Sequence, residues 1–314
     1  MSQRCPDDPS VPYVVYNSRM QLANSASGDS LARPHVRLAT RADAAAVQRL
    51  LRLGVYVHVH VDWHPPGDWL GTDGFVVYTR HRATADETIV GCLALGADPL
   101  PAAWVRVAAV ESVAAFGHFE AMWAALRDGL DPAIDEVAWF ITDNWPARWL
   151  DRLGYVPTNT VLGFRKDDLE SAPHTAPRGL DIRPALMEEL PALAEMEAAA
   201  FEPRWRHSAQ SLYLAWRQSL SFDVAVLDGQ PAGFQFSTGG SGGAHLARMT
   251  VHPQWQGLGI GAALMARALE GYRRRRVRAV TLNTQEDNVV SQRLYGRFGF
   301  RPTGQRYPVW SYYP

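Results

Sequence analysis

Residues 244–261 read Ala244-His245-Leu246-Ala247-Arg248-Met249-Thr250-Val251-His252-Pro253-Gln254-Trp255-Gln256-Gly257-Leu258-Gly259-Ile260-Gly261. Residues up to Val251 alternate as in a half-buried strand, and Pro253, which has no N–H for a ladder, marks its end. Apolar or small residues at 258, 261, 262, 265, 268, 269 and 272 then fall at i, i+3, i+4 and i+7, one face of a helix. Between strand and helix, Gly257, Gly259 and Gly261 remove side chains where the backbone turns, so that N–H groups can approach a ligand. A helix's first turn has N–H donors without internal partners and a dipole that favours negative charge. Strand, turn and helix together therefore read as a phosphate or pyrophosphate site.

Two departures narrow the anion. No Gly-Lys-Ser/Thr follows, as a nucleoside triphosphatase loop needs, and the acidic residue expected about 20 positions on in an NAD site is missing. Gln256-Gly257-Leu258-Gly259-Ile260-Gly261 instead resembles the Gln/Arg-x-x-Gly-x-Gly/Ala acyl-CoA loop of the GCN5-related N-acetyltransferases. Downstream, Asn288-Val289-Val290-Ser291-Gln292-Arg293-Leu294-Tyr295-Gly296-Arg297-Phe298-Gly299-Phe300 resembles that family's second signature, Asn-x-x-Ala/Ser-x-x-Leu-Tyr-x-x-x-Gly-Phe.

The rest of the chain fits two domains. Its 314 residues suffice for two of ordinary size, and the composition, 47% hydrophobic and 20% charged, is globular. A net charge of −1 gives no global field for nucleic acid or membrane. Two cysteines, Cys5 and Cys92, make no disulfide framework, and with no apolar run of spanning length and no signal-peptide pattern a cytoplasmic location is expected. Residues 1–34, with several prolines among Ser, Asn and Asp, read as a tail. Residues 35–166 form a first domain, 167–180 a polar linker and 181–314 a second domain. Leu180-Asp181-Ile182-Arg183 parallels His35-Val36-Arg37-Leu38, and Trp149–Tyr155 aligns with Leu294–Phe300, an internal duplication with a period near 145 residues. Strands are expected at 36–38, 74–78, 89–95, 104–110 and 137–140, and helices from Thr40 through Leu51 and over 115–130.

The resemblance implies an α/β fold of two tandem acetyltransferase-fold domains, each a twisted mixed sheet flanked by helices, a layout similar to that of mycothiol synthase. It implies an acetyl-CoA donor held by Met249, Thr250 and Val251, by Gln256, Gly257, Leu258, Gly259, Ile260, Gly261 and Ala262, and by Asn288 and Ser291. The first domain has Glu111–Gly117 where the loop would be and Leu150 where the second has Tyr295, so it reads as a degenerate copy.

A transfer to an amine needs a polarised carbonyl, a neutral amine and a proton for the departing thiolate. A splay of the strand at Met249–Val251 would free a backbone N–H for the thioester oxygen. Asn288 stands where an N-cap belongs, and Val290, Leu294 and Phe298 are expected to form that helix's buried stripe, with Tyr295 on a neighbouring face. By resemblance Tyr295 is the general acid; a phenol is protonated at neutral pH and can donate to sulfur. His245, Glu202 and Glu286 are open as bases, and none is assigned. Glu202 and Trp205, in the connection after the first helix of the second domain, are candidate substrate contacts. Arg273–Arg276 read as a solvated helix end. His58, His60 and His64 admit a metal site, yet an aromatic cluster is the commoner arrangement and acetyl transfer needs no metal. The expected partner is a small-molecule or peptide amine, without nucleic acid or membrane, and a homodimer is left open. Two rivals remain, a non-catalytic acyl-CoA-binding regulator and an acyl-CoA decarboxylase or other lyase.

Overall fold

The computed structural model describes residues 34–81, 87–239 and 242–314, so the tail at 1–33 lies outside the described residues. In chain order the elements are β1 (Pro34–Leu38), α1 (Ala44–Leu53), β2 (Tyr56–Val59), β3 (Phe75–His81), β4 (Glu87–Ala97), β5 (Ala102–Val110), α2 (Phe116–Asp128), β6 (Glu136–Phe140), α3 (Ala147–Leu150) and β7 (Val156–Lys166). There follow β8 (Asp181–Pro184), α4 (Leu190–Ala200), α5 (Ala209–Gln218), β9 (Ser221–Leu227), β10 (Gln230–Gly239), β11 (Ala244–Val251), α6 (Ile260–Arg274), β12 (Val280–Gln285), α7 (Val289–Arg297) and β13 (Arg301–Tyr312). They divide into two units, one running to Thr158 and taking in Pro308–Pro314, the other Asn159–Tyr307.

In the first unit the sheet order is β1-β3-β4-β5-β6, ending on the last residues of β13, where Val309–Tyr312 pair antiparallel with Phe140–Val137. Period-two alternation sorts the side chains. Phe75, Val77, Cys92, Ala94 and Val107 pack under Val47, Leu50 and Leu51 of α1, while Val76, Leu93 and Val105 pack with Phe119, Met122 and Trp123 of α2. Covered on both faces, these strands read as nearly continuous apolar runs. β5 and β6 run parallel, joined over Ala102–Trp104 and Glu136–Ala138 alone. Beyond that, the same edge of β5 is taken by β2, with Tyr56–Val59 antiparallel to Val110–Val107.

The second unit repeats the plan. Its order is β7-β12-β11-β10-β9-β8, with α6 on one face and α4 and α5 on the other. β11 and β12 are parallel and joined over three residues, Ala244–Leu246 with Val280–Leu282. On its other side β11 pairs with β10 but bulges at Ala247, since Ser237 faces Leu246 and the next residue, Phe236, faces Arg248. The extra residue flips the alternation. Met249 and Val251 join Ile260 and Leu264 of α6, and Thr250 turns to α4. β5 has its own bulge at Arg106, between the Leu95–Val105 and Ala94–Val107 pairs.

The unit boundaries differ from those expected. Residues 159–166, read as the end of the first domain, and 167–180, read as linker, fall in the second unit, and 308–314 falls in the first. Strand edges account for the exchange: 161–166 cover the open edge of β12, and 309–312 cover that of β6.

Candidate active site

The second unit's β11 leaves an edge open. On the β12 side no strand among the described residues pairs with it beyond Leu246, so Met249, Thr250 and Val251 offer unladdered peptide groups there. The chain then makes a short helical turn at Pro253–Trp255, with the His252 side chain accepting from the Gln254 N–H. Gly257 and Gly259 take φ of 80° and 91°, the left-handed region that favours glycine, and α6 begins at Ile260. Gln256 ties the turn to the strand through its side-chain amide on the Val251 carbonyl at 3.1 Å. Ile260 and Ala262 bury their side chains in the core, leaving backbone as what they can offer.

Next to this turn is an open cavity of about 620 Å³, bounded by Gly257–Gly259 and Ala262, by Arg297 at the end of α7, and by residues 173–177. That last segment, expected to be part of a linker, is a strap across the glycine turn. A Cβ added to Gly259 would lie 2.2 Å from the Thr175 carbonyl oxygen, whereas one on Gly257 would meet nothing within 4 Å. Strap, turn and Arg297 make a concave site with a cation and free helix-terminal amides, suited to a phosphate-bearing ligand.

Asn288 caps α7, its side-chain oxygen accepting from the Ser291 N–H at 3.1 Å. Of the expected stripe, Phe298 is buried and Leu294 packs partly against the same cluster, but Val290 does not take part. Val290 is 80% exposed, and the buried residues are Tyr295 and Phe298. Phe164 of β7 and Phe300 decide this, placing their rings 6.2 and 6.1 Å from that of Tyr295 and drawing it inward. Burial raises the Tyr295 pKa above its ordinary 10, against a hydrogen bond with Ser291 and the charge of Arg248. At neutral pH the phenol holds its proton.

A second cluster was not singled out from the sequence. Glu197 on α4 is completely buried and accepts from Arg248 Nε at 2.9 Å, from Arg248 Nη2, and from Thr250 Oγ1 at 2.6 Å. His207, just before the Ser208 cap of α5, brings Nδ1 to 3.2 Å from the other carboxylate oxygen. Arg248 also donates to the Trp205 carbonyl and lies over the Phe201 ring at 3.8 Å. Burial alone would raise the Glu197 pKa, but the Arg248 charge and the His207 hydrogen bond outweigh it and hold it at about 2. The signal was present: Glu197 lies on the stripe of Leu190, Leu193 and Met196, where a carboxylate must find partners.

The other candidates separate. Trp205 is brought to the cluster through its carbonyl, while the Glu202 side chain points to solvent, 3.7 Å from Arg204. Glu286 pairs with Arg306 at 2.7 Å. His245 is bonded to Thr281 at 2.9 Å, and burial lowers its pKa to about 4. Arg273–Arg276 are exposed at the end of α6. In the first unit, His58 bonds the Val105 carbonyl at 3.1 Å and His64 lies 2.9 Å from Asp98, and among the described residues no three side chains gather as a metal site. Nor, among the described residues, is any helix long and apolar enough to cross a membrane.

An open strand edge that runs through a glycine turn into a helix N-terminus is an architecture for an extended, phosphate-bearing ligand. Comparison with known proteins gives the family. Residues 190–300 match the acetyltransferase (GNAT) family. An uncharacterised N-acetyltransferase of Methanocaldococcus jannaschii is 32% identical over 124 residues, 38% of this chain and 77% of that protein. The chain belongs to the GNAT family of acetyltransferases, whose members use acetyl-CoA. Its fold is shared with a tandem GNAT protein of the clavulanic acid biosynthesis pathway (TM-score 0.58, 17% identity, 90% of this chain and 98% of that one). A GCN5-related N-acetyltransferase of Sphaerobacter thermophilus is similar in the same way (TM-score 0.57, 20% identity, 89% and 95%).

Proposed function

We propose that the second unit transfers an acetyl or other small acyl group from acetyl-CoA to an amine of a small molecule or peptide by direct attack, and that the first unit takes no part in the chemistry. The observation that carries this reading is the contrast between two strand edges. Among the described residues no strand pairs with β11 beyond Leu246 on the β12 side, beside the glycine turn, whereas the corresponding edge of β5 is closed by its own chain. The Val55 N–H bonds the Val110 carbonyl at 3.0 Å and the His60 N–H bonds the Arg106 carbonyl at 2.8 Å, so residues 55–60 fill the place an extended ligand would need.

The residues of the second unit fit the donor. Met249–Val251 would meet its pantetheine arm with backbone groups, Gln256–Ala262 its pyrophosphate, and Asn288 and Ser291 would border the arm from α7. Bound acetyl-CoA supplies an activated thioester. The Tyr295 phenol then gives its proton to the leaving sulfur, a role that suits a group kept protonated by burial. No cysteine occurs among residues 159–307, which disfavours a covalent enzyme intermediate on a thiol there and favours direct attack by the amine.

The test is free-thiol release from acetyl-CoA against a panel of amines, with Tyr295→Phe alongside, and calorimetry of acetyl-CoA binding. The reading expects one ligand bound per chain, release driven by an amine, and a loss of about 10²-fold or more in kcat for Tyr295→Phe at unchanged acetyl-CoA affinity. Two sites per chain would contradict the closed edge of β5, and thioester consumption without an acylated amine would favour a lyase.

A further inference from the structure

The transfer reading leaves the amine's proton without an acceptor, because an amine near pH 7 arrives as an ammonium ion and must lose a proton before it can attack. Glu197 is ionised but wholly buried, and its oxygens are taken by Arg248, Thr250 and His207. It cannot meet a substrate. What it can do is orient the His207 imidazole, which with 23% of its side chain exposed is more open to solvent than Arg248 at 12%.

An ionised carboxylate accepts hydrogen bonds and donates none. The ring nitrogen facing Glu197 is Nδ1, so Nδ1 carries the proton. In the neutral form of the ring, the form a base needs, the lone pair is then on Nε2, which bonds no group among the described residues. Glu197 is in turn fixed from β11, by Arg248 and Thr250, the residues flanking Met249 on the open edge. The neutral imidazole is thus set in one tautomer, its ring 6.2 Å from that of Phe236, by a carboxylate bolted to the strand that would carry the thioester.

We infer that His207 is the general base of the transfer, with Glu197 as its positioning residue, acting on an ammonium acceptor that enters by the connection between α4 and α5. The inference rests on the transfer reading above. In the step, His207 Nε2 takes one proton from the ammonium and later returns it to solvent. The neutral nitrogen attacks the thioester carbonyl, the C–N bond forms and the C–S bond breaks. The nitrogen sheds a second proton to solvent as the amide forms, and this balances the proton that Tyr295 gives to sulfur and regains.

Two measurements on the full chain test it. The first is the pH dependence of thiol release from acetyl-CoA with benzylamine, an ammonium ion at neutral pH, and with hydroxylamine, which is largely neutral there. His207→Ala is expected to lose about 10²-fold or more in kcat with benzylamine at unchanged KM for acetyl-CoA, to lose far less with hydroxylamine, and to regain rate when imidazole is added. The second is ring-nitrogen NMR of histidine-labelled protein, where the signal absent from His207→Gln should show a protonated Nδ1 and a bare Nε2. An equal loss with both amines, no rescue by imidazole, or an Nε2–H tautomer overturns the assignment while leaving the transfer reading standing. Failure of the unsubstituted protein to consume either amine or any of the wider panel takes down the transfer reading and the base together.

Discussion

The glycine turn and the strap above it can be separated by two substitutions. Gly259→Ala puts a methyl group on a residue at φ 91° and sets it 2.2 Å from the Thr175 carbonyl oxygen, where contact needs at least about 3 Å. Gly257→Ala imposes a similar backbone strain at φ 80°, but its methyl group enters open space. A residue held in the left-handed region against its preference costs roughly 1–3 kcal/mol, offset by about 0.4–1 kcal/mol from the stiffer unfolded chain. Gly257→Ala should therefore destabilise the second unit by about 1 kcal/mol, a few degrees in Tm. Gly259→Ala carries the same strain and must also push residues 173–177 away by about 1 Å, which should add roughly 1–3 kcal/mol or release the strap altogether. Both should weaken acetyl-CoA binding by about tenfold or more, since the methyl groups stand in or beside the turn that would hold the pyrophosphate. Thermal unfolding and calorimetric titration of the two variants give the comparison. Equal stabilities would refute the tight contact of strap and turn, and an unchanged affinity in both would refute the turn as the donor's anion site.

Acid should unfold the protein in two windows, read by Tm against pH. His58 is held near pKa 4 by burial, against a hydrogen bond to the Val105 carbonyl, so its folded pKa is depressed below the unfolded 6.5; its contribution, on the order of 3 kcal/mol, is present above pH 6.5 and lost as pH falls toward 4. Glu197, depressed from 4.5 to about 2, contributes a comparable amount above pH 4.5 that is lost as pH falls toward 2. His245, lowered to about 4 by burial, shares the first window, so His58→Gln should shrink that window by about half and leave the second unchanged. On α7, Val290→Ser should change stability by less than about 0.5 kcal/mol in denaturant titration, because Val290 is exposed, whereas a cost above about 1.5 kcal/mol would restore the stripe expected from spacing.

Local signals were the legible ones. Pro253 announced the end of β11, three glycines announced the turn, and Asn288 and Ser208 stand as caps that accept from the amides three residues on. Each reading needed only a few neighbouring residues. The buried face of α7 yielded only in part: Leu294 and Phe298 pack on the core as spacing suggests, but Val290 does not and Tyr295 does. The choice is made by Phe164, more than a hundred residues upstream. The exchange of edge strands was hidden for a related reason, since nothing in Val309–Tyr312 says that their partner is Phe140 rather than a neighbour in the same half. Glu197 is the instructive case. Its position on a buried stripe could have been read as a demand for cationic and hydroxyl partners, but Arg248, Thr250 and His207 come together only once the bulge at Ala247 has turned 248 and 250 toward α4.

That bulge also links the fold to the division of labour proposed for the two units. Both units carry one, at Ala247 and at Arg106, near the point where the parallel pairing with the next strand stops. A strand that parts from its neighbour after three residues exposes a row of peptide groups, and such a row must be satisfied by water, by a ligand or by more chain. The first unit satisfies it with its own residues 55–60, and then builds on them: Trp145 donates to the Val57 carbonyl at 3.2 Å, and the His58 ring packs on Trp139 at 5.4 Å. Opening that edge would break a ladder and an aromatic core together. Among the described residues the second unit puts no strand on the corresponding edge, which runs on into the glycine turn. One solution closes the edge with the protein's own chain, and the other leaves peptide groups for the ligand that the proposed function places there.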